Sequence, residues 1–165
     1  MKTIYSLLIC ICCFTVSVFS QDSLSTRPLT EFEKSFSGAI DYPDQLLERC
    51  IPTFTVMKVK FNKKGELESL DFSDSAFPQF VQEVLAKKNK IEFHYLYEDA
   101  LKLGMQDNWI LVPIQINTKI AGRCESTIIP YDLENSLLFA GKPLIGRHYL
   151  YHKFVANVGI GVLYN

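Results

Sequence analysis

Between Thr55 and Phe61 the chain alternates with a period of two. Thr55, Met57, Val59 and Phe61 fall on one side, Lys58 and Lys60 on the other. Helical spacing would scatter those apolar residues around an axis, so the pattern predicts a strand with one buried and one solvated face. That is the habit of antiparallel sheets. Asn62-Lys63-Lys64-Gly65 follows as a hairpin turn, with glycine free to take the positive φ that other residues resist. Leu67, Leu70 and Phe72 then mark a second strand.

Helical patterns lie on both sides of this hairpin. Pro43 suits the first position of a helix, where its missing N–H would have had no partner. Asp44 favours the positive end of that helix, and Leu46, Leu47 and Cys50 form a narrow apolar stripe. After Ser75, Phe77, Phe80, Val81, Val84 and Leu85 share one face of a second helix that begins near Pro78 and ends among Lys87, Lys88 and Lys90. A third strand runs through Trp109 to Ile116, and Pro113 inside it predicts an edge strand whose nitrogen faces outward. A sheet with one apolar face and helices with one apolar stripe cover each other. The expected fold is therefore an α+β two-layer sandwich: a small antiparallel sheet of about three strands packed on two helices. A C-terminal extension adds a short helix near Asp132 to Phe139 and a glycine-containing strand near Phe154 to Tyr164.

These spacings resemble the TonB C-terminal domain family. That family has Tyr-Pro, about two dozen residues to a turn glycine, apolar positions two, five and seven residues later, and then a serine. Here Gly65 lies 23 residues after Tyr42, and Leu67, Leu70, Phe72 and Ser75 fall at those offsets. Val112-Pro113-Ile114-Gln115-Ile116 is similar to the family's closing apolar-Pro-apolar-x-apolar strand. The resemblance spans roughly residues 39–117. It implies a non-catalytic interaction module that captures an extended segment of an envelope or outer-membrane transport protein by strand addition. The peptide-binding residues it implies are Val112, Pro113, Ile114, Gln115 and Ile116, with Tyr42 and Pro43 at the neighbouring corner. Family members carry an inner-membrane anchor and a proline-rich spacer; this chain resembles a stand-alone variant without them. Residues 94–108 read as an inserted helix, and residues 118–165 have no counterpart in the family's minimal domain.

The first 20 residues read as a secretory signal peptide, with Lys2 before an apolar run from Ile4 to Phe19 and cleavage expected before Gln21. The alternative is an uncleaved anchor, since the run is close to the minimum that spans a bilayer. Export places the protein in the periplasm or outside the cell, with no stable membrane insertion after cleavage. Residues 21–38 form a polar leader with a short docked helix carrying Phe32 and Phe36, and residues 118–165 an extension packing on the 39–117 domain. Without residues 1–20 the chain has 16 basic and 18 acidic residues, a balance that offers no electrostatic footprint for nucleic acid. Only Cys50 and Cys124 then remain. In an exported chain they are candidates for a disulfide, and antiparallel pairing of the first and third strands would bring them to adjoining ends. The alternative is two thiols buried separately as small hydrophobes.

No motif organises an active site, a cofactor site or a metal site. His148 and His152 have an i,i+4 spacing, but zinc needs three or four ligands, and no glutamate accompanies them as in a metalloprotease helix. His94 sits in an aromatic stretch suited to packing. Asp71, Asp74, Glu98 and Asp99 fall where acids begin helices. The expectation is a protein that is not an enzyme. Two alternatives stand beside the peptide-binding reading. One is an assembly protein whose third strand is covered by its own C-terminal extension. The other is a small secreted hydrolase using His94, or His148 and His152, which would need a pocket holding two of them with a carboxylate.

Overall fold

The computed structural model describes residues 28–120, 124–125, 128, 130–159 and 162–164. The helices are α1 (Glu31–Ala39), α2 (Asp44–Glu48), α3 (Pro78–Lys87), α4 (His94–Lys102) and α5 (Pro130–Asn135). The strands are β1 (Thr53–Phe61), β2 (Leu67–Phe72), β3 (Trp109–Ile120), β4 (Cys124–Glu125), β5 (Leu138–Phe139), β6 (Lys142–Pro143), β7 (His148–Leu150), β8 (Phe154–Gly159) and β9 (Val162–Tyr164).

The fold is α+β, but the sheet is larger than three strands. Five strands run in the order β2-β1-β3-β8-β9, with β4 and β7 also pairing to β3. β1 is antiparallel to both β2 and β3, as its alternation leads one to expect. β7 and β8, by contrast, are parallel to β3, so the sheet is mixed. The expected single strand at the C-terminal end is a pair, β8 turning back antiparallel into β9.

One face of the sheet carries the core. Met57, Val59 and Phe61 of β1, Ile110, Val112, Ile114 and Ile116 of β3, and Phe154, Ala156 and Val158 of β8 are all buried there. Three helices supply the other layer. Phe36 of α1 meets Phe154 edge-on, Phe80 of α3 packs against Phe72 and Tyr42, and Tyr97 of α4 lies against Phe61. Residues assigned by sequence to leader, domain and extension thus share one core cluster running from Phe32 to Val158. α1 starts with a reciprocal cap: Thr30 Oγ1 accepts the Glu33 N–H, and the Glu33 carboxylate accepts the Thr30 N–H.

The hairpin glycine is required twice over. Gly65 has φ +79°, and its N–H closes the turn on the Asn62 carbonyl. A Cβ there would also stand 2.8 Å from the Tyr97 ring. Gly65→Ala is therefore expected to destabilise the fold by about 2–3 kcal/mol, combining a left-handed backbone with overpacking. In urea unfolding, the added substitution Tyr97→Ala should reduce the cost of Gly65→Ala. Additive costs would show that the ring contact is irrelevant.

A second hairpin lies on the opposite face. β5 and β6 are joined by Ala140 and Gly141, both with positive φ (51° and 73°), the geometry of a two-residue hairpin loop. Asp74 does not cap α3 as expected. Its carboxylate accepts the N–H groups of both Ala140 and Gly141, at 2.8 and 2.7 Å, and holds this strained loop in place. The hairpin brings Phe139 over Lys58, whose ammonium also lies over Trp109. Glu98 and Asp99 do not begin α4 either: it starts at His94, and Asp99 serves inside it as acceptor for Lys102 and the Tyr151 hydroxyl.

Candidate functional site

The expected peptide-binding edge is an interior strand. Val112 to Ile116 pair with β1 on one side, Thr53 facing Ile116 and Met57 facing Val112. On the other side β7 pairs along Trp109–Leu111 and β8 along Ile114–Thr118. The correction has a physical reason in Pro113. Val56, its partner on β1, donates its N–H to Ser73 Oγ, and its carbonyl accepts the Ser73 N–H. Val56 therefore faces β2, and the Val56–Pro113 pair exchanges no ladder bonds. The Pro113 nitrogen points to the far side, where the pairing passes from β7 to β8. There Tyr151, His152 and Lys153 stand opposite only Val112 and Pro113, an extra residue that makes a bulge. Tyr151 N–H still reaches the Leu111 carbonyl at 2.8 Å. The missing proton falls where a bulge interrupts the ladder, the other home of proline in sheets.

Tyr42 is buried and Pro43 only half-buried. Pro43 is the cap residue of α2, not its first turn, and Tyr42 is only 2% exposed. The Tyr42 hydroxyl donates to the Ile51 carbonyl at 2.6 Å and lies 2.8 Å from Thr53 Oγ1. With its one proton committed to Ile51, Tyr42 receives the Thr53 proton. Thr53 pairs across the ladder with Ile116, so the Tyr42 corner and the third strand are linked through the core, not by a common surface.

Burial pushes the Tyr42 phenol up to about 12, against the smaller opposing effect of the Thr53 hydrogen bond. Because the folded value lies above the unfolded value near 10, its stabilisation is complete below pH 10. It is lost as pH rises from about 10 through 12, a fall of about 2–3 kcal/mol. Tyr42→Phe should flatten part of that decline in alkaline urea titrations while costing about 1–2 kcal/mol at neutral pH through orphaned partners. An unchanged alkaline slope would refute the assignment to Tyr42. Tyr151 retains some slope, its phenol also being raised, by burial first.

The histidines are dispersed. His94 pairs with Glu92 at the surface, Nδ1 to Oε2 at 3.2 Å. His148 lines a cavity of about 210 Å³ with Lys58, Trp109 and Phe139, which contains no carboxylate and neither of the other histidines. His152 stacks on Tyr151 and lies 3.5 Å from the buried Glu33 carboxylate. Among the described residues no three His, Cys, Asp or Glu side chains are grouped to hold a metal ion. No helix among them is long and apolar enough to cross a membrane.

Sequence reasoning missed a polar junction of Thr30, Glu33, Asp99 and Tyr151. The Tyr151 hydroxyl lies 3.0 Å from Thr30 Oγ1 and 3.2 Å from Asp99 Oδ2, tying the bulge to α1 and α4. Its legible signal was Thr-x-x-Glu before an apolar helix face. Cys50 is disulfide-bonded. Residues 1–20 and the side chain of Cys124 lie outside the described residues. Comparisons with family models, with curated proteins and with solved structures find no match for this chain.

Proposed function

We propose that this is an exported, non-catalytic assembly and interaction module of the cell envelope, resembling a TonB C-terminal domain whose third strand is served by its own C-terminal extension. The observation that carries the reading is the parallel pairing of β7 and β8 along β3, where the family resemblance would seat a transporter segment. Tyr151, Phe154, Ala156 and Val158 of that extension are almost fully buried, so the covering strand is a built part of the core.

The test is amide hydrogen exchange with and without extended transporter peptides. Leu111 and Gln115, which face β7 and β8, should be protected as deeply as core amides of β1, and peptides should leave 112–116 unshifted. Rapid exchange there, or peptide shifts centred on those residues, would restore an open third strand. Gln115→Pro, which removes a donor facing β8, should cost about 1–3 kcal/mol of stability. N-terminal sequencing of the native protein checks export: Gln21 or a near neighbour is expected, and an intact Met1 would revive the anchored reading.

A further inference from the structure

With β3 enclosed, the sheet still ends at β2, and among the described residues no strand pairs with its outer side. Every residue from Leu67 to Phe72 is at least partly exposed. Register decides which backbone groups are open. Since Val56 faces β2, so do Lys58 and Lys60, which exchange bonds with Asp71 and Ser69. The N–H and C=O groups of Leu70 and Phe72 therefore point outward. Such an edge is a template for another chain unless blunted by lysine, proline or a bulge. The only irregularity lies toward the turn, between Lys60 and Phe61, leaving the Leu70–Phe72 half regular.

That half opens into a groove of about 520 Å³ between β2 and α3, walled by Phe72, Ala76, Pro78, Val81 and Gln82. Its only ionisable lining residues are Asp71 and Asp74. Asp74 is held by the Ala140 and Gly141 amides, while Asp71 is exposed and meets Lys58 at 3.4 Å. Glu68, exposed, adds a further acid toward the turn end of the strand.

We infer that the outer edge of β2 is a docking edge for an extended, basic segment of a partner protein, with Lys or Arg alternating with aliphatic residues. An antiparallel guest would exchange bonds with Leu70 and Phe72. The guest residue opposite Asp71 occupies a close, non-bonded pair on the outer face, where a cation is favoured. Its two neighbours project to the helix side and enter the groove beside Pro78 and Val81. A second copy of this chain fits poorly: the register that pairs Leu70 of one copy with Phe72 of the other puts Asp71 directly against Asp71. The inference rests on the interaction-module reading and names its partner class and surface.

The experiment is an amide NMR titration of the purified protein with the blocked peptides Val-Lys-Val-Lys-Val and Val-Glu-Val-Glu-Val. The lysine peptide is expected to shift residues 67–74 and 78–82 and leave 110–117 unmoved. Asp71→Lys should weaken it about tenfold and transfer preference to the glutamate peptide. Leu70→Pro, which removes an outward donor while keeping the β1 ladder, should abolish binding of both. Shifts confined to another surface would overturn the β2 assignment while leaving the interaction-module reading intact. Concentration-dependent shifts at 67–72 without peptide would overturn it in favour of a second copy. No shift with either peptide would overturn the basic-segment assignment. The interaction-module reading itself falls separately, if in-cell cross-linking in the native envelope yields no specific protein adduct.

Discussion

Phe154→Ala is expected to remove about 3–5 kcal/mol of stability, a large fraction of what a domain this size possesses. Phe154 is 1% exposed, stands opposite Ile114 in the ladder and meets Phe36 of α1 edge-on at 5.2 Å. Truncating it opens a cavity between α1 and the sheet that neither rigid element can collapse to fill. Urea denaturation followed by tryptophan fluorescence would measure it, since Trp109, the single tryptophan, lies on the same strand as Ile114. A chain ending at Arg147 should do worse and lose cooperative unfolding, because Tyr151, Phe154, Ala156 and Val158 leave the core together. If instead that truncation folds cooperatively and gains affinity for extended peptides at 112–116, the extension is a removable strap and the assembly reading is wrong.

That prediction could not have been made from the sequence, for reasons that particular residues explain. The β1 alternation, the Gly65 turn, β2 and the α3 helix are local patterns, and each is found within a residue or two of its expected place, although Leu85, expected on the apolar face of α3, is 42% exposed. Phe154, Ala156 and Val158 are also a local alternation, and a strand there was legible. Its partner was not. Parallel pairing joins Ile114 to Phe154 across a long intervening stretch, and no short-range pattern encodes that choice. Pro113 compounded the problem, because proline in a sheet marks either an edge or a bulge, and only the register of Tyr151 to Lys153 tells which. The helical spacing of Phe32 and Phe36 did mark α1 as a short docked helix, but the polar composition of residues 21–38 concealed that both rings belong to the central core. The Thr30–Glu33 cap was the available clue.

Breaking the Cys50 disulfide should lower stability by about 4 kcal/mol, if Cys124 is the partner and a loop of roughly 75 residues is released. Cys50 occupies an unusual backbone position. Its N–H bonds the Leu47 carbonyl and that of Ile51 bonds Leu46, the paired closure that ends α2, and its φ is +55°. Glycine normally fills this place, so a cysteine there carries a backbone cost of about 1–2 kcal/mol that the cross-link offsets. The backbone of Cys124 pairs with Ile120, on the part of β3 that continues beyond Ile116 and its partner Thr53, three residues after Cys50. Two substitutions separate the contributions. Cys50→Ala loses the cross-link and keeps the strained backbone; Cys50→Gly loses the cross-link and relieves the strain. Cys50→Gly should therefore be the more stable by about 1 kcal/mol, although both fall well below the parent under oxidising conditions. Under reducing conditions Cys50→Gly should equal or exceed the parent. Non-reducing peptide mapping decides the pairing: a Cys50–Cys124 peptide is expected. A free Cys124 thiol in a protein cleaved before Gln21 would leave Cys50 no second cysteine in its own chain, and the predicted loop-release loss would fail.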